Sequence, residues 1–482
     1  MDLLAIEAFS WTPHLETAAE ICVTEAQAGR SVGFAFVPLD NPDERRQLWR
    51  RALTLVAGPR HKVARLAPLL QAQGVTPITP SRLPAAARRA VNDFATQHVG
   101  TIDDLRRLSY KGGSLGLGVA SSLISRTGDP APDVARFETL VARYLRASAL
   151  VFESACALIA RHQPQAVLVF NGRFACSKGI AEAARHLKVR CLFHERGATF
   201  QRYMVYDAPI HGIDDERQRI LDVWASAPRD REDVGRAFFK LRRQGEGIGW
   251  MSYTGDQRAG VVPARRKPRR YVYFHSNDDE LALVEDVVPH SCFESQRHAI
   301  EFLVRWVGRQ LDAELIIRLH PSLQAKSDAE QTYWRTVAGA NAAVELPGSQ
   351  TDSYALAESA DVVLTYGSTM GVEAAFLGKP VILLCDASYG GLGCVYEPAT
   401  AEELLGLLNQ PMLPPKPAER CLPYGYYALT YGTPYRFYQP TSLFSGSFMG
   451  VELAMSAKYL RRFRTSGLGR SLSKAPDTLR GR

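Results

Sequence analysis

The chain has 482 residues, of which 46% are hydrophobic and 22% charged, enough for two or three globular cores and incompatible with general disorder. No stretch approaches the ~20 consecutive apolar residues of a membrane span, and the amino terminus MDLLAIEAFSWTPH lacks the regions of a signal peptide, so the sequence predicts a cytoplasmic protein. The net charge of +8 is concentrated at the end, where residues 458–482 hold eight Lys or Arg against the single acid Asp477.

In chain order, the periodicity predicts a helix over 15–28, a strand over 31–37 and a further strand near 52–56. Residues 80–132 interrupt this order with a stretch rich in Gly, Ser, Arg and Pro that contains KGGSLGLG. Lacking both a Walker ending and a preceding strand, that glycine run reads as a flexible loop able to touch an acceptor. A long helix over 134–161, a strand over 166–170, a helix over 175–187 and a strand over 190–194 follow. The proline-containing cluster PARRKPRR, residues 263–270, reads as an interdomain linker. Beyond it, strands over 271–275, 314–320 and 343–346 alternate with helices over 293–311 and 328–339, ending in the segment ADVVLTYGSTMGVEAAFLGKPVILL from Ala360. Such alternation predicts an α/β protein with two Rossmann-like, doubly wound parallel-sheet domains. They span 1–262 and 271–410, with an extension over 411–482 that ends in a helix-like stretch, 447–462, and the basic tail. That tail mixes Arg with Leu, Tyr and Phe, which suits an anionic membrane surface and equally a solvated terminus. No nucleic-acid motif supports a DNA or RNA partner. The eight cysteines are scattered singly, as reduced core residues are.

The segment from Ala360 carries the most chemistry. A β-branched run is broken by Tyr366, Gly367, Ser368 and Thr369 where a helix begins. Gly367 lets backbone approach a ligand, Ser368 or Thr369 can cap the helix, and its first N–H groups suit a phosphate. Glu373, one turn on, is placed to accept hydrogen bonds from sugar or ribose hydroxyls. Ligands of open parallel sheets bind outside the carboxyl ends of the strands, and those ends are polar here. In the second domain they carry His275, Ser276 and the run Asn277-Asp278-Asp279-Glu280, a solvated turn rather than a divalent site. Arg318 and His320 share a face and are placed to neutralise a pyrophosphate. In the first domain they carry Trp11 to His14, Asn171-Gly172-Arg173 and His194-Glu195-Arg196. Glu195, or alternatively His14, suits a general base toward an acceptor hydroxyl, while Asn171, Arg173 and Arg196 suit acceptor binding. No metal-ligand spacing is present.

The order PHLET, NGR, HERG, SNDDE, RLHPS and TYGSTMGVEAAFLGKPVI resembles bacterial capsule and surface-polysaccharide biosynthesis proteins of the GT-B glycosyltransferase superfamily. The resemblance is strongest over 167–202 and 271–384. It implies two Rossmann-like domains facing a cleft, the amino-terminal one for a glycan or lipid-linked glycan acceptor and the carboxyl-terminal one for a nucleotide-sugar donor. In such an enzyme Arg318, His320, Ser368, Thr369 and Glu373, with Ser276 nearby, are donor residues, and a terminal helix crosses back to the first domain. The expected reaction is metal- and cofactor-independent glycosyl transfer, with the nucleotide sugar as substrate. Rival expectations are a nucleotide-sugar epimerase, a polyol-phosphate transferase, and a non-catalytic assembly or export partner.

Overall fold

The computed structural model describes residues 1–39, 41–44, 59–208, 212–245, 256–276, 291–321, 323 and 328–453. The strand expected near 52–56, the acidic run 277–280 and the basic tail 458–482 lie outside the described residues. Those of 1–126, 131–210 and 432–482 form one compact unit, and those of 127–130 and 211–431 a second.

The first unit is built on β1 (Leu3–Glu7), β2 (Val32–Phe36), β3 (Thr76–Ile78), β4 (Ala166–Phe170), β5 (Arg190–Arg196) and β6 (Arg202–Tyr206). Their spatial order is β6-β5-β4-β1-β2-β3, with Thr433–Pro434 added outside β6. The five strands from β5 to β3 run parallel, whereas β6 and Thr433–Pro434 are antiparallel to their neighbours. The segments LLAIE, VGFAF and AVLVF are buried along their whole length because each feeds two cores. Leu4, Ile6, Val167 and Val169 enter one, while Leu3, Ala5, Phe34 and Leu168 enter the other. Helices α1 (His14–Gln27) and α2 (Pro59–Ala72) cover the second face. On the first lie α3 (Ala85–Ala95), α4 (Ile102–Arg107), α5 (Leu115–Thr127), α6 (Glu138–His162) and α7 (Ala175–His186).

Two expectations change here. The interruption at 80–132 is helical, and KGGSLGLG opens α5 instead of forming a flexible loop. Gly116 is required by packing, since a Cβ there would lie 2.0 Å from the Leu105 carbonyl oxygen. Ser447, expected to start a helix, lies in the hairpin formed by Tyr438–Ser442 and Ser445–Phe448. The rest of that expected helix beyond residue 453 lies outside the described residues. The segment leading to the hairpin is fastened to α1: buried Glu20 accepts from the backbone N–H groups of Arg436, Phe437 and Tyr438 at 2.7, 2.9 and 2.8 Å.

The second unit has β7 (Arg269–Phe274), β8 (Ala313–Arg318), β9 (Ala342–Glu345), β10 (Val362–Thr365) and β11 (Val381–Leu383), in the order β11-β10-β7-β8-β9 and all parallel. Alternate residues again serve two cores, Val272 and Phe274 on one side and Tyr271 and Tyr273 on the other. Its helices are α8 (Ile213–Ala225), α9 (Arg231–Arg243), α10 (Gln296–Val307), α11 (Asp328–Thr336), α12 (Ser353–Ser359), α13 (Met370–Phe376), α14 (Ala401–Leu408) and α15 (Leu422–Thr430).

The sequence reading divided the chain at 263–270. In the structure α8 and α9 already belong to the second unit, because Ile220, Phe238 and Phe239 are part of its core. The expected linker is also pinned down. Arg265 donates to Asp361 and to the Ser359 carbonyl, Lys267 to the Leu311 carbonyl, and Arg269 and Arg270 are the first residues of β7. Arg270 Nε donates to Glu314 Oε1 at 2.8 Å, and both side chains are 1% exposed.

Candidate functional site

Each sheet reverses its winding at one place, between β1 and β4 in the first unit and between β7 and β10 in the second. Such switch points leave a crevice beyond the carboxyl ends of the two strands.

In the first unit three strand ends bring their polar residues together. His14 opens α1 just beyond β1, Asn171 follows β4 at a left-handed φ of 58°, and Glu195 lies near the end of β5. Glu195 Oε2 accepts from Asn171 Nδ2 at 2.7 Å, Oε1 accepts from the Arg196 N–H at 3.0 Å, and His14 Nδ1 lies 3.6 Å from Oε1. The His14 ring packs on Phe170 with centroids 3.9 Å apart. Burial, the largest influence, pushes the His14 imidazole down to about 3, although Glu195 opposes it. Burial alone would raise Glu195, yet His14, the Asn171 hydrogen bond and the Arg196 N–H together bring it below its ordinary value. At neutral pH the site therefore holds a neutral imidazole beside a carboxylate. Arg196 contributes its backbone N–H, and Arg173 lies over the Phe174 ring at 4.5 Å.

Sequence reasoning missed two buried polar pairs beside this cluster. Lys62, on α2, binds the Ser10 carbonyl, Thr12 Oγ1 and Glu16 Oε2 at 2.8, 2.9 and 2.9 Å, fixing the loop that presents His14. His194 Nε2 lies 2.6 Å from Glu7 Oε1, tying the ends of β5 and β1 across β4, and burial raises the Glu7 carboxyl. The available signal for the second pair was a polar residue inside each apolar run, Glu7 in LLAIE and His194 in CLFHE.

In the second unit Thr365 joins the two strands at the switch point: Oγ1 donates to the Phe274 carbonyl at 3.0 Å and accepts from the Ser368 N–H at 2.9 Å. Gly367 takes φ of 103°, open to glycine at no steric cost. Ser368 Oγ accepts from the Met370 N–H at 3.3 Å, whereas Thr369, the exposed residue before α13, makes no side-chain capping bond. Tyr389, unforeseen from the sequence, donates to the Ser368 carbonyl at 2.6 Å and so braces the loop. Gln296 likewise holds the end of β7, accepting from the Ser276 N–H at 2.7 Å. Among the described residues, buried Ser276 Oγ has no hydrogen-bond partner. An unsatisfied buried hydroxyl is costly, and ligand atoms are a common reason to retain one.

Two expected donor residues, Arg318 and Glu373, have side-chain partners within the second unit. Arg318 is 3% exposed and donates through Nη1 to the Leu346 carbonyl and Ser349 Oγ, both at 2.6 Å, so it stitches β8 to the turn after β9. His320, half-buried just beyond β8, accepts at its carbonyl from the Leu323 N–H at 3.0 Å. Glu373 is 2% exposed, and both its oxygens are engaged. Oε1 accepts from Arg242 Nε and Nη2 at 3.3 and 3.2 Å, and Oε2 accepts from the Tyr354 hydroxyl. The helical period that placed Glu373 one turn from the loop also turned it toward α9 and α12. Glu373→Ala should therefore cost stability, about 2–3 kcal/mol for leaving a buried charged network broken, and leave nucleotide affinity unchanged. Urea unfolding and a binding titration on the same variant check this.

Residues 261–405 match the family of capsule polysaccharide biosynthesis proteins. The matched segment runs from before β7 to α14 and so contains the whole second sheet and its switch point. No curated protein matches the chain. Among solved structures, the β-Kdo 2,4 transferase of Thermosulfurimonas dismutans KpsC is 15% identical, with 55% of this chain and 80% of that one covered at a TM-score of 0.36. MurG of Acinetobacter baumannii is 14% identical over 90% of this chain and 96% of its own, with a TM-score of 0.25. The UDP-GlcNAc 2-epimerase of Neisseria meningitidis is 11% identical over 89% and 94%, with a TM-score of 0.24. Among the described residues no group of three or more His, Cys, Asp or Glu is placed to hold a metal ion, and no helix is long and apolar enough to cross a membrane.

Proposed function

We propose that this protein is a glycosyltransferase of surface-polysaccharide synthesis, with a nucleotide-sugar donor held at the β7/β10 switch point and an acceptor hydroxyl activated at the β1/β4 switch point. The observation that carries the reading is the meeting of His14, Asn171 and Glu195 from three different strand ends. A carboxylate held by Asn171 and a backbone N–H, beside a neutral imidazole, is a base and its orienting partner. This arrangement favours His14 over Glu195 as the base. Glu195 faces Nδ1, which leaves Nε2 for the acceptor.

In the proposed step His14 Nε2 takes the acceptor proton as the acceptor oxygen forms its bond to the anomeric carbon. The bond from that carbon to the phosphate oxygen breaks, and its electron pair leaves with the nucleotide. Ser276 Oγ and the Gly367–Thr369 loop are the proposed hydrogen-bond donors to the departing phosphate, where charge develops. Lys62 and Tyr389 act by positioning, one for the loop before His14 and the other for the loop after β10.

A panel of uridine, cytidine and guanosine nucleotide sugars tests the donor half by thermal shift. The matching donor at 100 times its Kd should stabilise the protein by about 2.7 kcal/mol. A panel with no stabilising member would overturn the reading. Product analysis with the matching donor then distinguishes transfer, which needs an acceptor, from epimerisation, which does not.

A further inference from the structure

We propose that a basic groove between α3 and α6 of the first unit binds an acidic, carboxylate-bearing glycan, as an extended subsite for the acceptor. The inference builds on the transferase reading and gives its acceptor a chemical class. Two adjoining cavities of about 540 and 360 Å³ lie along these helices and share Asn92 and Arg146, each within the ~300–1,000 Å³ of small-ligand sites. Arg88 and Arg89 from α3, and Arg143 and Arg146 from α6, line them, against the single acid Glu138. Arg88, Arg89 and Arg146 are exposed, and among the described residues none of the three has an ion-pair partner. The guanidinium groups of Arg88, Arg89 and Arg146 along one concave surface match oxyanions along an extended ligand. Val134 and Val141 supply an apolar wall suited to the C–H face of a sugar ring.

The groove also sits at the end of the sheet that matters. Tyr144, between Arg143 and Arg146, donates to Asp43 Oδ1 at 2.6 Å, and Asp43 Oδ2 accepts from Ser122 Oγ at 2.9 Å. Ser122 Oγ in turn accepts from the Ala175 N–H at 3.0 Å. Ala175 opens α7 directly after Asn171-Gly172-Arg173, so this buried chain ties the arginine-bearing turns of α6 to the carboxyl end of β4. That is the end at which His14 and Glu195 meet. A membrane surface fits less well: the exposed large apolar residues, such as Leu311, Met412 and Phe444, do not line the groove, and an interfacial site needs an apolar face to insert.

The test measures binding of a fluorescent oligogalacturonate to the full chain and to the double variant Arg88→Ala/Arg146→Ala, with a neutral malto-oligosaccharide and phosphatidylglycerol vesicles as comparison ligands. Oligogalacturonate should bind the wild type in a salt-weakened manner and the double variant about tenfold or more weakly. The neutral sugar should show no such difference. Arg146→Glu, a charge reversal on an exposed side chain, should weaken oligogalacturonate further, and melting temperatures should stay unchanged. Equal oligogalacturonate affinity for wild type and double variant overturns the proposal. So does vesicle binding that is lost in the variant while the glycan binds neither form. The nucleotide-sugar thermal shift, measured on the same samples, separates the two readings. A shift without glycan binding overturns the groove alone, and glycan binding lost in the variant upholds the groove even where no donor shifts the protein.

Discussion

Replacing His14 with asparagine is expected to lower kcat by about 10²–10⁴-fold, the usual contribution of a positioned general base, with the donor-induced thermal shift retained. The expectation follows from geometry: Nδ1 of His14 is 3.6 Å from the Glu195 carboxylate, which is itself held by Asn171 and the Arg196 N–H. Glu195→Gln removes the charge that favours a proton on His14 and should lower kcat by a smaller factor. If the His14 variant keeps wild-type kcat, the assignment of the base fails.

The same substitution has a second readout that needs no substrate. Burial holds folded His14 at about 3 against an ordinary value of 6.5. Between those values the unfolded chain binds the proton and the folded chain does not, so this residue's contribution to stability falls as pH drops below 6.5. The slope approaches ~1.4 kcal/mol per pH unit. Glu195, lowered in the fold, adds loss of the same sign as pH falls through the carboxylate range. His14→Asn should flatten the decline between pH 6 and 4.5 in urea-unfolding series, and an unchanged slope would show that the imidazole is not held neutral. A transferase using this base should likewise show no acid limb of kcat near pH 6.5, since His14 is already unprotonated there.

The largest effect on stability is expected at the opposite end of the second sheet. Glu314→Ala should cost about 3–5 kcal/mol, because it leaves the buried Arg270 guanidinium without its carboxylate, and Arg270→Ala should cost less, because Glu314 still accepts from the Arg266 N–H and Nε at 3.3 and 3.4 Å. Arg270 is bonded to Glu314 Oε1, to Ser359 Oγ and to the Pro263 carbonyl, at 2.8, 3.1 and 3.0 Å, and its backbone N–H donates to Asp361 at 2.7 Å. Replacing both partners with apolar residues of similar volume, Arg270→Met with Glu314→Leu, should recover much of the loss. Urea midpoints for the two single variants and the double variant check the coupling; additive losses would show that the pair does not act as a unit.

Much of the architecture was legible because it depends on local pattern. Runs such as AVLVF and VVLT are apolar on both faces, which is possible only where helices cover both sides of a parallel sheet. Polar residues directly after such runs had to lie at the carboxyl ends of the strands, and His14, Asn171 and Glu195 do meet there. The domain division was less legible. Helices α8 and α9 precede the second sheet in sequence, yet Ile220, Phe238 and Phe239 complete its core, and their amphipathic pattern alone does not name the sheet they cover.

Side-chain partnership lay beyond sequence for a further reason: it depends on groups distant along the chain. Arg318 and Glu373 have the residue types and spacing of ligand contacts, but the Leu346 carbonyl, Arg242 and Tyr354 reach them first. The basic run at 263–270 reads as an interdomain linker, but Asp361 and Glu314, 96 and 44 residues away in the chain, supply its partners. By itself the sequence determined the parallel core of each sheet and the strand ends where chemistry would gather, since both follow from which residues avoid water; the antiparallel β6 and Thr433–Pro434 at the edge of the first sheet were not foreseen. Only the tertiary structure decided which polar side chains at those ends remain open to a ligand, because a buried charge takes whichever partner the fold brings within hydrogen-bond reach.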